Sequence, residues 1–267
     1  MNHFDATTSL ERTDHHFEGK LDKSWWVVRG PHGGYLGSIL LRALTEALEE
    51  PERHVRSLTV HFVAAPEEGP FRIETTIERA GRSITFMSAR MSQGDRCVAV
   101  ALAAFSVAWS GPEFRDASMP DVAAPDDAFP FPLEAPGVPP FLHNFDMRWV
   151  VGGAPFSGAD RAELGGWMRL AEPRIADAIL MATYADAWPP VVFPRLTEPV
   201  VCPTVDLTIH FRSSLPIEGS HHDDFYLGMF TSELGRDGFF EETGEIWSPE
   251  GELLVQSRQL ALMLRAG

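Results

Sequence analysis

One short strand-like segment occurs twice in this chain of 267 residues, and it constrains the fold more than any other feature. Residues 57–62 read SLTVHF and residues 206–211 read DLTIHF, so the two copies lie 149 residues apart. A solenoid repeats every ~20–50 residues, whereas this spacing has the length of a whole domain. The repeat therefore predicts two copies of one domain. Polar residues that only one copy holds become candidates for chemistry.

The composition fits two globular domains. Hydrophobic residues make up 44% of the chain and charged residues 22%, which are ordinary values for a globular protein. No stretch approaches the ~18 uninterrupted apolar residues of a membrane span, and residues 1–16 hold no apolar signal core. We therefore expect a cytoplasmic protein with no membrane partner. The only cysteines, Cys97 and Cys202, are expected to be buried, reduced thiols.

The charge of the chain limits its partners. The net charge is −16, whereas nucleic acid needs a basic footprint, so no nucleic-acid partner is expected. A polyanionic small ligand would need a local cluster of arginines or helix N-termini against the overall field. The segment 221–224 reads HHDD, but no second cluster is spaced to complete a metal site. We predict no metal.

In the first copy, apolar residues at helical spacing predict a largely buried helix over 35–50. Strand-like runs follow at 55–64, 71–79, 83–92 and 96–109, and Gly or charged turns separate them, which indicates an antiparallel meander. Residues 111–141 hold eight prolines and six acidic residues. This segment is predicted to be an interdomain crossing without helix or central strand.

The second copy repeats this order. Strand candidates at 147–151 and 165–170 precede a predicted helix over 174–188, and strands at 204–213, 225–234, 239–247 and 253–264 complete it. One helix wrapped by a curled antiparallel sheet is the hotdog arrangement. The predicted fold class is therefore α+β, a tandem (double) hotdog. It consists of an N-terminal hotdog domain over 1–110, a Pro-rich acidic linker over 111–142 and a C-terminal hotdog domain over 143–267.

Comparison of the two copies singles out polar residues in the second. Alignment of the repeated strands places Thr204 opposite Val55. Gly94 and Gly251 precede the last strands of the two copies, and aligning these glycines places Gln259 opposite Leu102. In both places the first copy is apolar and the second can form hydrogen bonds.

Asp186 falls in the last turn of the second predicted helix, where the helix dipole favours cations over a carboxylate. A carboxylate kept there needs partners or a catalytic role. It can act as a general base toward a water, and a threonine hydroxyl and a glutamine amide can hold that water or orient the carboxylate. On spacing alone, the alternative is a chance surface Asp with an unrelated strand Thr and Gln.

These residues resemble the site of the acyl-CoA thioesterase II family, the double-hotdog enzymes of bacteria and peroxisomes. The similarity covers most of the chain outside the linker, and the segments 184–186, 203–206 and 257–259 hold the Asp, Thr and Gln in the family's order. The resemblance implies hydrolysis of an acyl-CoA substrate to free carboxylic acid and coenzyme A. Asp186, Thr204 and Gln259 would activate the water, with no metal or redox cofactor.

The first copy is expected to lack a second catalytic centre. Gly33 and Gly34 match the family's glycine pair, and His32 before them is similar to the His-Gly-Gly of single-hotdog thioesterases. However, Leu41 and Arg42 stand where those enzymes place a carboxylate. Because N–H groups at a helix N-terminus can stabilise an oxyanion, these three residues are predicted oxyanion or substrate-binding residues. The alternatives are close packing for the glycines and capping or packing for the histidine.

Two other functions stay open. Hotdog hydratases pair a carboxylate with a histidine on or beside the central helix, and the absence of His from residues 174–188 counts against hydration or dehydration of an acyl thioester. A non-catalytic acyl-CoA or lipid-binding protein would keep the pocket without turnover. Because exposed sheet edges often pair, we expect a homodimer of chains.

Overall fold

The computed structural model describes residues 1–265, which form three α-helices and sixteen strands. The helices are α1 (His3–Thr7), α2 (Gly33–Leu48) and α3 (Ala178–Tyr184). The strands of the N-terminal half are β1 (Glu11–Arg12), β2 (Phe17–Leu21), β3 (His54–Phe62), β4 (Gly69–Ala80), β5 (Ile84–Gln93) and β6 (Arg96–Ser106). The strands that follow are β7 (Phe129–Pro130), β8 (Phe145–Val151), β9 (Ala162–Leu170), β10 (Val200–Val201), β11 (Thr204–Phe211), β12 (Tyr226–Ser232), β13 (Gly235–Arg236), β14 (Phe239–Trp247), β15 (Leu253–Leu262) and β16 (Leu264–Arg265).

Fourteen of these strands form one antiparallel sheet, and its two halves mirror each other. The order is β1-β2-β4-β5-β6-β3 in the N-terminal half and β11-β15-β14-β12-β9-β8-β7 in the C-terminal half, with β13 beside β14. The repeated strands β3 and β11 pair in the middle, where Thr59 lies opposite Thr208 and their hydroxyl oxygens are 3.0 Å apart. The sequence repeat therefore marks the seam of the sheet. The α+β class with an antiparallel sheet is confirmed.

Helix α2 forms because apolar residues recur on nearly every side of it and the sheet encloses them. The His32 side chain caps its first turn by accepting a hydrogen bond from the Tyr35 N–H at 3.1 Å. Its fully buried side chains are those of Tyr35, Ile39, Leu40, Leu41 and Leu44. The predicted helix over 35–50 is thus observed two residues earlier along the chain.

Helix α3 is shorter than the helix predicted over 174–188. It begins after Asp177, whose carboxylate accepts a hydrogen bond from the Leu180 N–H at 2.9 Å as an N-cap. It ends at Tyr184. The Asp186 N–H then donates a hydrogen bond to the backbone oxygen of Thr183 at 3.2 Å. This i to i−3 hydrogen bond is typical of a 3₁₀ turn and not of an α-helix. The prediction that Asp186 lies in the last helical turn is therefore wrong. This residue follows the helix.

The Pro-rich segment contains no α-helix and only the two-residue edge strand β7, as its composition predicts. It is nevertheless packed. Ala117, Met119 and Val122 contact an apolar cluster that includes Trp167, and the Trp167 indole donates to the Ala123 oxygen at 2.7 Å. The segment therefore covers the side of the C-terminal sheet that faces away from the main core.

Two smaller expectations concern the thiols and the membrane. Cys97 and Cys202 are free, as predicted. Both are half-buried, whereas the sequence predicted buried thiols. Within residues 1–265, none of the helices is long and apolar enough to cross a membrane.

Candidate active site

Asp186 of the C-terminal half meets the N-terminus of α2 from the other half. Its Oδ2 accepts a hydrogen bond from the Gly34 N–H at 2.8 Å, and His32 Nε2 lies 2.5 Å from the Asp186 backbone oxygen and 3.4 Å from Oδ2. The other His32 nitrogen caps α2, and the ring stacks on Phe141 at 4.6 Å, so capping and packing of this histidine are both present. A helix N-terminus favours an anion through its N–H groups and its dipole. Helix α2 therefore supplies the partner that the carboxylate needs.

The glycines at the start of α2 permit the close approach of α2 and α3. A Cβ on Gly34 would lie 2.7 Å from the Thr183 oxygen, and a Cβ on Gly33 would lie 2.8 Å from Asp186 Oδ2. At the same crossing, Ser38 Oγ and Thr183 Oγ1 are hydrogen-bonded at 2.7 Å. The glycine pair thus brings backbone N–H groups to the carboxylate at a distance that a side chain would prevent.

Gln259 connects the predicted threonine to a second buried carboxylate. Thr204 Oγ1 donates to Gln259 Oε1 at 3.0 Å, and Gln259 Nε2 donates to Glu242 Oε1 at 2.6 Å. Glu242 Oε2 accepts a hydrogen bond from the Val191 N–H at 3.0 Å. The exposed fractions of Gln259 and Glu242 are 7% and 5%, so water competes little for these hydrogen bonds.

Burial raises the pKa of Asp186 above its ordinary value. The nearby His32 ring, the hydrogen bond from the Gly34 N–H, and the donor groups of Gln259 and Gly33 lower the pKa without cancelling the effect of burial. The amide of Gln259 therefore affects Asp186 while it is hydrogen-bonded to Glu242. A carboxylate whose pKa lies closer to neutrality is a stronger general base than an ordinary aspartate.

Glu242 is the site residue that the sequence analysis missed. Burial raises its pKa to about 8, and the negative charges of Asp186 and Glu241 add to that rise. A signal existed in the alternation of β14, where every second residue from Phe240 to Ile246, including Glu242, is buried and the residues that alternate with them are more exposed. A glutamate at an inward position of a strand is costly to bury, which marks it as a candidate.

The strand pairing corrects one alignment of the two copies. Leu58 and Leu207 are equivalent in the repeat; Leu58 pairs with Ala103, whereas Leu207 pairs with Gln259. Gln259 therefore corresponds to the buried Ala103, and the prediction that it lies opposite Leu102, which is 52% exposed, is wrong. The turn from β14 to β15 is longer than the turn from β5 to β6, so the glycines in these turns are not equivalent. A slip of one residue moves a side chain to the other face of a sheet.

The polar cluster occupies one half of the molecule only. Met87 pairs with Ala103 in the same way that Glu242 pairs with Gln259. The N-terminal positions equivalent to Thr204, Gln259 and Glu242 are held by the buried residues Val55, Ala103 and Met87. Duplication followed by divergence thus left the hydrogen-bonding side chains in the C-terminal half, beside Asp186.

Comparison with protein families agrees with this duplicated architecture. A model described as the acyl-CoA thioesterase C-terminal domain matches residues 118–263, more than half of the chain, and the corresponding N-terminal domain model matches residues 22–106. The chain belongs to the acyl-CoA thioesterase family. The resemblance found in the sequence is confirmed.

Similar proteins match this chain over nearly its whole length. A protein of unknown function with a hotdog fold from Alicyclobacillus acidocaldarius is 30% identical, with a TM-score of 0.90 over 100% of both chains. A candidate thioesterase II from Thermobifida fusca is 26% identical, with a TM-score of 0.84 over 99% of this chain and 98% of its own. An uncharacterised protein of Mycobacterium tuberculosis is 26% identical over 275 residues, which is 92% of this chain and 90% of the relative.

Proposed function

We propose that this chain hydrolyses acyl-CoA thioesters to a free carboxylic acid and coenzyme A. The observation that carries the proposal is the Asp186 carboxylate, which is 13% exposed and held at the N-terminus of α2 by the Gly34 N–H. Asp186 takes a proton from a water, and the water oxygen attacks the thioester carbonyl carbon. Collapse of the tetrahedral intermediate breaks the C–S bond, and the proton passes to the coenzyme A thiolate.

The other predicted residues take roles that their contacts support. Thr204 is hydrogen-bonded to Gln259, and Gln259 affects the pKa of the base, so we assign both to orienting the water. In the structure the Gly34 N–H donates a hydrogen bond to the Asp186 carboxylate, and His32 contacts the backbone oxygen of Asp186. We therefore assign the start of α2 to holding the base. The oxyanion role of Gly33, Gly34 and His32 stays a prediction, since it requires these groups to turn toward the substrate.

We also propose a tandem double hotdog, with hotdog domains over 1–110 and 143–267 and a linker over 111–142. The mirrored strand order supports this proposal. Each half also has one central buried helix, which is the long α2 in the first half and the short α3 in the second. The cytoplasmic location and the lack of a nucleic-acid partner stay predictions from composition and charge.

A homodimer of chains is the proposed assembly. Phe86 and Leu102 lie on the outer side of the N-terminal sheet and are 38% and 52% exposed. The equivalent positions in the C-terminal half hold Glu241 and Arg258, whose side chains are 3.5 Å apart as an ion pair. The C-terminal half presents charged residues to water at these positions, whereas the N-terminal half presents apolar ones. Exposed apolar side chains favour burial of the N-terminal face against a second copy of the chain.

The test of the activity is release of free thiol from a panel of short, medium and long acyl-CoAs. Removing a general base costs ~10²-fold or more in rate, so Asp186→Asn is expected to lower kcat by at least that factor. Asp206→Asn is the matched control, because this half-buried aspartate pairs with Leu260 on the outer side of the sheet and should leave kcat unchanged.

Each result bears on a different part of the proposal. Turnover that survives in Asp186→Asn would leave a thioesterase and contradict the assignment of the base. No turnover by the wild-type protein, together with acyl-CoA binding, would favour the non-catalytic binding protein instead.

A further inference from the structure

We infer that Glu242 is a positioning residue for Gln259: it fixes which side of the Gln259 amide faces the reaction site. The inference rests on the proposed hydrolysis, because Gln259 matters for catalysis only there. Glu242 contacts Gln259 and the backbone of Val191. It therefore acts through Gln259 and not on the substrate directly.

The amide of Gln259 can point in two directions, and its neighbours determine which one it takes. Above about pH 8, where Glu242 is ionised, its carboxylate can only accept hydrogen bonds, so the Nε2 side of the amide faces it at 2.6 Å. The Oε1 side then receives the Thr204 hydroxyl at 3.0 Å. The second hydrogen on Nε2 remains available to Asp186, whose pKa Gln259 lowers. A flipped amide would set its oxygen against the ionised Glu242 carboxylate.

Glu242 is itself held by the chain segment that carries the base. Its second oxygen accepts a hydrogen bond from the N–H of Val191, which is fully buried and lies five residues after Asp186. One carboxylate therefore ties β14, the glutamine of β15 and the segment after α3 together. A displacement of Glu242 would disturb both the amide and the position of the base.

The N-terminal half shows that the fold does not need this pair. At the equivalent register positions it holds Met87 and Ala103, which are buried and paired in the same way as Glu242 and Gln259. Burying a carboxylate costs free energy that an apolar pair avoids. The pair is present in the half that has Asp186 and absent from the half that has none at the equivalent place, which points to function rather than packing.

Within residues 1–265, Glu242 forms no ion pair. The charged groups that affect its pKa are Asp186 and Glu241, and both are acidic. The carboxylate is stabilised by the Val191 N–H and the Gln259 amide instead. Orientation of the amide is the role that these contacts support.

The kinetic test uses Glu242→Gln. The new side chain keeps an oxygen for the Val191 N–H but presents an NH₂ group to Gln259, whose amide must then turn its oxygen away from Thr204. Above about pH 8, where Glu242 is ionised, we expect kcat to fall about 10- to 100-fold, as on loss of a charge-assisted hydrogen bond, with KM within about twofold. If this variant does not fold, Glu242→Met, which carries the residue of the other half, is expected to show the same loss.

Glu245→Gln is the matched control. Glu245 lies three residues along the same strand and forms a cross-strand pair with Gln256 at 3.5 Å, on the opposite side of the sheet. The control therefore makes the same chemical change in the same kind of Glu–Gln pair. Its kcat should equal that of the wild-type protein.

A second readout does not depend on turnover. The side-chain NH₂ resonances of Gln259, observed by NMR with labelled glutamine, are expected to shift in Glu242→Gln and to stay in place in Glu245→Gln. If the wild-type protein is active, an unchanged kcat or an unchanged Gln259 resonance in Glu242→Gln overturns the inference. If the wild-type protein is inactive on every acyl-CoA, the proposed function fails, and the Gln259 resonance alone decides whether Glu242 orients the amide.

Discussion

At the scale of single residues, the site holds two carboxylates near one amide. Glu242 is buried and accepts a hydrogen bond from Gln259, the Asp186 side chain is 13% exposed, and burial raises the pKa of each. The negative charge of Asp186 adds to the rise of the Glu242 pKa. The base is thus kept in an environment that makes it a better proton acceptor, at a cost in stability.

That cost predicts a pH dependence. The pKa of Glu242 rises from its ordinary 4.5 to about 8 on folding, so between these values the folded protein binds a proton that the unfolded chain has lost. The contribution to stability is full below 4.5 and is lost as the pH rises to about 8. Between about pH 5 and about pH 9, the Tm of the wild-type protein is expected to fall relative to that of Glu242→Gln, as measured by thermal unfolding.

Glu245→Gln serves as the control here too, and its Tm should follow that of the wild-type protein across the same range. A difference between Glu242→Gln and the wild-type protein that does not change with pH would contradict the raised pKa of Glu242.

At the scale of secondary-structure elements, the contact between α2 and α3 positions the base. The N-terminus of α2 reaches Asp186 only because Gly34 lets the backbones of the two helices meet. The short α3 ends early enough for the tight turn that follows to direct Asp186 back toward α2. Helix ends, more than helix interiors, therefore build this part of the site.

Alanine substitutions on α2 test this contact. In Gly34→Ala the new Cβ would lie 2.7 Å from the Thr183 oxygen, so we expect a loss of ~1–3 kcal/mol in the free energy of unfolding, and lower turnover. In Gly37→Ala the nearest atom, of Leu58, is 4.0 Å away, so we expect a gain of up to ~1 kcal/mol from helix propensity. Chemical denaturation measures both. Equal effects of the two substitutions would rule out the close approach as the reason for Gly34.

At the scale of the whole molecule, the two halves form one continuous sheet and differ on its outer side. The segment 111–141 covers apolar side chains of the C-terminal half, whereas Phe86 and Leu102 of the N-terminal half stay exposed. The proposed dimer would cover the second surface with another copy of the chain. The short end strands β1 and β7 leave little edge for pairing.

Leu102→Arg tests the dimer, because it introduces the residue type that the C-terminal half has at the equivalent position. We expect light scattering to give the mass of two chains for the wild-type protein and of one chain for this variant. Leu234→Arg is the control, since Leu234 is 53% exposed, close to the 52% of Leu102, but lies beyond β12 in the other half. A wild-type mass of one chain, or a Leu102→Arg variant that stays dimeric, would contradict the proposal.

Elements with local signals could be predicted from the sequence alone. Apolar periodicity identified α2, strand alternation gave β14 over the same residues that the structure shows, and the repeat located β3 and β11. The comparison of the copies also pointed to Asp186, Thr204 and Gln259, although the alignment of Gln259 with Leu102 and the helical placement of Asp186 were wrong. These features depend on neighbouring residues, on caps and on the comparison of two similar segments, all of which can be read along the chain.

The contacts between groups far apart in the chain could not be predicted and depend on the tertiary fold. The Gly34 N–H lies 152 residues from Asp186 in sequence, and no local pattern predicts their hydrogen bond. The match of Gln259 to Ala103 depends on strand register, and the role of Glu242 depends on the amide across from it. Register and the partners of a buried charge are set by packing between segments far apart in the chain, so they become visible only once the chain is folded.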